Sequence, residues 1–491
     1  MSAELRTVMR DGTIYAVANI VSRLAAVILI PVYTYQFTVD EYVFYTVLVA
    51  VTELASMLLG MGMAGALSRL YFDHIDNAKR QSLVISTIFT AVIALGIVAT
   101  VGAFMISPFV SRSVFVASAP QYTFGLAIAS VTLVVVFELV MSYFLIRKRP
   151  YAVLGLATLK MVTTLAANIV FVVILKMGVM GVLYAMIVSF GITACPYLIH
   201  IARTHGMGVD PQITRGAIAF GLPLVPATSA NAIMRLVERQ LLAAQGGAGA
   251  ALYGLADRIA LLLQMLISAP FARIFLVRRF ESLAADQDQE ELSRILTLFV
   301  GVLGVATLGL AVTGPEILFI LAPPTFAPAL PLLPWLAVGY MLAALTVNIE
   351  LGLLYTKRTH FIPIIGISAL ILSIGLNILL IPLLGPVGAA VSLVVVSLLR
   401  LIITIAANTR YGVKEVRASW GAVGLVLTAT FALSLLVTNG MLGDLSWTAR
   451  VLRIIIWFCF VGILFISPVI DKKTKADLRQ MIPNRPTGRA G

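Results

Sequence analysis

Apolar segments of bilayer-spanning length recur from about residue 13 to 468, separated by short stretches rich in Lys, Arg, Pro and Gly. About 20 predominantly apolar residues carry a helix across a bilayer. Windows of that length predict fourteen helices, near 13–37, 43–66, 82–106, 122–145, 152–175, 179–202, 214–238, 250–272, 295–314, 329–355, 361–382, 386–408, 419–438 and 451–469. The connections leave no room for a sizeable soluble domain. Before the tenth segment, "APPTFAPALPLLP" reads as an external loop or a broken helix start, because proline removes backbone donors. The N-terminal "MSAELRTVMRDG" is basic, but the run after it is too long for a signal-peptide core and no small-x-small site follows. It is read as leading into the first span.

Composition agrees. Of 491 residues 60% are hydrophobic and 12% charged, against about 25% charged in soluble domains. The fold class expected is an all-α membrane protein. Cys195 and Cys459 both lie in apolar runs, which argues against a disulfide framework or a thiolate metal site. The net charge of +13 has a topological pattern. With the N-terminus cytoplasmic, 25 of the 35 Lys and Arg fall in cytoplasmic segments, among them Arg147-Lys148-Arg149 and Arg278-Arg279. Only Arg112, Lys176, Arg450 and Arg453 fall outside. This positive-inside bias supports fourteen spans with both termini cytoplasmic, and it assigns the excess charge to topology and membrane lipids rather than to nucleic acid.

The two sets of six spans share features at a nearly constant offset. Asn168 and Asn377 differ by 209, and the second glycines of "GVMG" (178–181) and "GPVG" (385–388) by 207. Arg23 and Arg235 differ by 212, as do Glu138 and Glu350, while Glu53 and Asp257 differ by 204. An even-numbered repeat inserts both halves in one orientation, related by an axis along the membrane normal. The expected organisation is two six-helix bundles, 1–208 and 209–412, then two added helices in 413–470 and a basic cytoplasmic tail, 471–491.

Six basic residues lie inside the predicted spans: Arg23, Lys160, Arg235, Arg239, Arg258 and Arg400. Five acidic residues accompany them: Glu53, Glu138, Glu238, Asp257 and Glu350. Helical spacing places most of them on polar faces, such as Asn19, Ser22, Arg23 and Ala26, or Tyr253, Asp257 and Gln264. Ionisable residues at membrane depth face a polar interior and mark a solute pathway. Guanidinium matches phosphate oxygens bidentately, so Arg23, Arg235, Lys160 and Arg400 are candidate ligands for an anionic, pyrophosphate-type group. Glu53, Glu138, Asp257 and Glu350 are candidates for coupling to a H+ or Na+ gradient, or else neutralise the arginines. Glu53 and Arg23 are possible mutual partners, Glu238 and Asp257 possible partners of the adjacent Arg239 and Arg258, and Arg239 and Arg258 are placed to snorkel.

Other signals are structural or negative. Tyr33, Tyr35, Tyr42 and Tyr45 suit an interfacial aromatic belt, with sugar stacking as the alternative. "GMGMAG" at 60–65 satisfies GxGxxG, but no strand precedes it, which leaves close helix packing or a helix end. No Walker A sequence occurs, and His74, His200, His205 and His360 lack metal spacing and read as solvated interface residues.

Several stretches, in order, resemble one family: "SRLAAVILIPVYTYQFTVDEY", "LLGMGMAGALSRLYF", "FGLPLVPATSANAIMRLVERQLLA", "LYGLADRIALL" and "NILLIPLLGPVGAAVS". The chain resembles the polysaccharide transporter family, the Wzx-like branch of the multidrug/oligosaccharidyl-lipid/polysaccharide exporter superfamily. The resemblance implies a flippase of the bacterial inner membrane rather than an enzyme. Its substrate would be an undecaprenyl-pyrophosphate-linked oligosaccharide repeat unit for O-antigen, capsule or exopolysaccharide synthesis, moved by alternating access through a cationic cavity. It implies no resident cofactor or metal, and partnership with a polysaccharide polymerase and chain-length regulator. Ser22-Arg23 is similar to a Ser-Arg pair in peptidoglycan-precursor flippases of the superfamily. Glu238-Arg239 stands where relatives usually carry Asp-Arg. The competing expectations are a peptidoglycan lipid-precursor flippase and a multidrug cation exporter, the latter disfavoured by the basic residues. A membrane polymerase or ligase is disfavoured by short external loops.

Overall fold

The computed structural model describes residues 3–115, 119–263, 267, 271, 289–355, 361–410, 420–438 and 446–466. Among them the ordered elements are helices: α1 (Ala3–Gln36), α2 (Val39–Gly60), α3 (Met63–Asp73), α4 (Ala78–Val114), α5 (Thr123–Ile146), α6 (Pro150–Asn168), α7 (Gly178–His205), α8 (Pro211–Gly221), α9 (Val225–Ala244), α10 (Gly249–Leu263), α11 (Gln289–Leu321), α12 (Leu333–Tyr355), α13 (Phe361–Leu384), α14 (Pro386–Arg410), α15 (Trp420–Thr438) and α16 (Trp447–Ile466). Twelve helical stretches are long and apolar enough to cross a membrane, or thirteen if α8 and α9 form one span bent by 51°. The chain is a multi-pass membrane protein. Of the fourteen expected spans, the seventh is that bent pair, and the eighth is described as helix only to Leu263. The count of fourteen therefore extends beyond the described residues.

Local chemistry sets the breaks. Thr38 and Glu41 form a capping box that starts α2, and Asp210 caps α8 by accepting from the Gln212 and Ile213 amides at 2.8 and 3.2 Å. Pro223 and Pro226 withhold amide donors where α8 gives way to α9 through a 3₁₀ turn. The proline-rich stretch before α12 is 3₁₀ helix from Pro324 to Leu332. Within "GMGMAG", Gly60 ends α2 and Gly62 starts α3 at φ 65°. A Cβ on Gly221 of α8 would fall on the Met61 carbonyl oxygen, so this glycine-rich turn is a backbone crossing.

The chain divides into two compact units, residues 1–254 with 321–323, and residues 255–320 with 324–491. The first has its own core, with Leu67, Ile85, Leu139 and Ala194 fully buried; the second is centred on Phe299, Leu303, Leu308 and Met341. The sequence-based boundary at 208/209 falls inside the first unit, because α9 packs along α2. The repeated glycine motifs occupy equivalent turns. Gly178 (φ 56°) and Gly385 (φ 59°) lie at the turns leading into α7 and α14. A Cβ on Gly181 would sit 2.9 Å from the Phe171 carbonyl, and one on Gly388 would meet that of Leu380.

Candidate functional site

In the first unit, α2, α3, α5, α7 and α9 surround a cavity of about 700 Å³. Apolar side chains such as Val135, Leu139 and Met186 form much of its wall, and Thr52, Glu53, Ser56, Glu138 and Thr228 supply polar atoms. Two carboxylates thus face one cavity. Glu53 is held by Arg235 of α9, whose Nε donates to Oε2 at 2.9 Å while Nη2 donates to Oε1. About a third of each side chain remains accessible. Glu53 therefore pairs with Arg235, 182 positions along the chain. Arg23 lies on α1, and its side chain is outside the described residues.

Glu138 is open to the cavity and interacts electrostatically with Lys160. Lys160 Nζ donates to the Ser22 carbonyl at 3.3 Å and lies 5.2 Å from the ring centroid of Phe190, itself part of the cavity wall. Lys160 thereby ties α6 to α1 beside the Ser22-Arg23 pair. Two cations and two carboxylates from α2, α5, α6 and α9 converge on this region, and their formal charges balance.

Glu238 and Arg239 are both buried rather than snorkelling: they pair at 3.3 Å, Tyr253 OH donates to Glu238 at 3.1 Å, and Arg239 sits 4.7 Å over the Tyr253 ring. A closed arrangement of this kind fixes helix packing. Tyr33, Tyr42 and Tyr45 are buried in an aromatic cluster, not an interfacial belt: Phe37 stacks on Tyr33, and Tyr45 meets Tyr33, Phe37 and Tyr42 edge-on; of the four tyrosines only Tyr35 is exposed. Tyr33 OH donates to Asn168 Oδ1 at 2.7 Å, which gives the first repeat asparagine its role in joining α1 to α6. His205 is also integrated, with Nδ1 2.8 Å from Ser82 Oγ and Nε2 3.1 Å from Arg147 Nη2.

The second unit carries its own charges. Arg400 of α14 donates to Glu350 Oε1 of α12 through Nη2 at 2.9 Å and Nε at 3.2 Å. Asp257 of α10 accepts from Tyr340 OH at 2.5 Å, a partner with no signal in the sequence; Gln264, expected on the same face, is outside the described residues. A further cluster was missed: Arg453, 1% exposed, donates to Glu316 at 2.6 Å, with Arg450 3.3 Å from the same oxygen. The apolar window ends at residue 314, but α11 runs through Pro315 and includes Glu316. The i, i+3 spacing of Arg450 and Arg453 was the available clue. Among the described residues no group of three His, Cys, Asp or Glu is arranged to hold a metal ion, and Cys195 and Cys459 are unpaired.

A family model described as polysaccharide biosynthesis protein matches residues 8–275. The chain belongs to the polysaccharide biosynthesis protein family. No curated protein matches it. Solved structures place the family member's fold. The lipid II flippase MurJ, in an inward closed conformation, aligns with a TM-score of 0.72 at 12% identity, over 93% of this chain and 99% of that one. An inward-facing multidrug resistance MATE transporter of the MOP superfamily aligns at 0.57 and 16% identity, over 85% and 95%. A MOP superfamily transporter from Pyrococcus furiosus, described as having a binding pocket of reverse polarity, aligns at 0.54 and 14% identity, over 83% and 96%. The chain thus has the MurJ/MATE-like fold, and the resemblance carried by its motifs holds at family level.

Proposed function

We propose that the protein is a flippase for undecaprenyl-pyrophosphate-linked oligosaccharide repeat units, serving O-antigen, capsule or exopolysaccharide synthesis. The observation that carries the reading is the cavity of the first unit, whose wall includes Glu53 and Phe190, the side chains that Arg235 and Lys160 contact. Placing guanidinium and ammonium groups at membrane depth costs several kcal/mol, and an anionic headgroup that uses them offsets that cost. Arg23, Arg235, Lys160 and Arg400 are the proposed pyrophosphate ligands. The glycan occupies polar space and the prenyl tail stays in lipid. Glu53, Glu138, Asp257 and Glu350 are the proposed coupling groups for a H+ or Na+ gradient, which needs only two states that substrate and ion bias differently. The proposed setting is the bacterial inner membrane with both termini cytoplasmic, alongside a polymerase and a chain-length regulator. No covalent step is involved.

A second reading has support from the MurJ likeness: the peptidoglycan lipid precursor, which shares the pyrophosphate and differs in the glycan. Flipping in proteoliposomes, with lipid-linked repeat unit and lipid II offered separately, distinguishes the two. In the same assay Arg23→Ala is expected to abolish flipping and Arg23→Lys to retain part of it. Wild-type rates in both variants contradict an anion-binding role for Arg23.

A further inference from the structure

Arg235 is already occupied. Its Nε and Nη2 engage the two oxygens of Glu53, so the carboxylate fills the two-donor fork that a phosphate would take. The contact joins α2 to α9 without being sealed, since the two side chains are 34% and 35% exposed. Glu53 lines a chamber of about 700 Å³ together with the hydroxyl-bearing Thr52, Ser56 and Thr228. There is room for a pyrophosphate beside the pair, but the Nε/Nη2 edge of Arg235 is reached only by replacing Glu53.

Building on the flippase reading, we infer that Glu53 is an internal competitor for the substrate's pyrophosphate and sets the threshold that an anionic headgroup must exceed to bind. A bilayer surrounds the protein with phosphodiester lipids, each carrying one phosphate. An unguarded guanidinium fork would take these by concentration alone. Displacing Glu53 costs the same for every anion. A weak phosphodiester ligand is thereby held off, while a pyrophosphate, with more charge and more acceptor oxygens, still binds. The same competition aids release, because the displaced carboxylate stays in the chamber and reclaims Arg235. Transport requires binding strong enough to load and weak enough to leave.

The test is calorimetric binding to the full-length protein in detergent, using inorganic pyrophosphate, farnesyl pyrophosphate and short-chain phosphatidylglycerol. Glu53→Gln removes the charge of the competitor and is expected to bind both pyrophosphates about tenfold more tightly than wild type. It is also expected to bind phosphatidylglycerol measurably where wild type does not. Arg235→Ala binds weakly, and Glu53→Gln/Arg235→Ala binds no better than Arg235→Ala. Glu53→Asp, one methylene shorter and still charged, gives an intermediate gain and serves if Glu53→Gln does not fold. Equal or weaker pyrophosphate binding in Glu53→Gln, with Arg235 still required, overturns the competitor role and leaves the flippase reading standing. No pyrophosphate binding by wild type or by Glu53→Gln overturns both.

Discussion

Arg400→Met leaves Glu350 as a carboxylate without its counter-ion between α12 and α14. The side chains of Glu350 and Arg400 are 10% and 21% exposed, and Glu350 Oε1 receives both guanidinium contacts. Removing one partner of a buried pair costs about 3–5 kcal/mol, because the remaining charge keeps its desolvation penalty. The residual exposure of Arg400 puts the expected loss at the lower end, about 3 kcal/mol. Replacing both groups, in Glu350→Gln/Arg400→Met, removes the stranded charge and is expected to recover most of the loss, for a coupling of about 2 kcal/mol. The assay is a double-mutant cycle on purified protein, by reversible unfolding in mixed micelles of fixed composition. A further hydrogen bond between these helices, from Asn408 Nδ2 to the Ile349 carbonyl at 3.1 Å, is unchanged in every variant and keeps the helix pair comparable. A loss for Arg400→Met within about 0.5 kcal/mol, as for an ordinary surface change, refutes the reasoning.

Gly221→Ala is expected to lower stability by about 1–3 kcal/mol, because its methyl meets the Met61 carbonyl and backbone has to shift; an unchanged midpoint of thermal unfolding contradicts the close crossing. Tyr33→Phe deletes the donor to buried Asn168 and is expected to cost about 1 kcal/mol in the same measurement, whereas Tyr35→Phe, at an exposed position, has no effect. Because Arg235 and Lys160 balance Glu53 and Glu138, pyrophosphate binding is expected to draw in protons. Calorimetry in buffers of different ionisation enthalpy detects this, with smaller uptake in Glu138→Gln; no uptake in wild type removes Glu138 as a coupling group.

The apolar periodicity made the helices legible, since a bilayer demands long uninterrupted runs and loops have little freedom in length. The identity of the charged set was legible for the same reason: an arginine or glutamate in such a run is conspicuous. Its pairing was not. Arg235 reaches Glu53 across 182 positions of sequence, a distance set by how α9 packs on α2, which no local pattern encodes. Tyr340 was invisible because a tyrosine in an apolar helix looks the same whether it faces lipid or donates to a carboxylate. Glu316 escaped because Gly314 and Pro315 mimic a helix end, although α11 continues through them. The tyrosines near residue 40 misled in the opposite direction, since aromatic belts and buried aromatic clusters share one composition.

In the proposed transport step, the cations beside the cavity recognise a lipid-linked pyrophosphate and carry it across the membrane. This step is tested most directly in proteoliposomes holding a fluorescent undecaprenyl-pyrophosphate oligosaccharide, with a neutral glycolipid as control and leaflet exposure read by a membrane-impermeant quencher. Protein-dependent translocation of the pyrophosphate lipid alone, abolished by Arg235→Ala, is the expected result. Equal translocation of the neutral glycolipid, or full activity in Arg235→Ala, contradicts it.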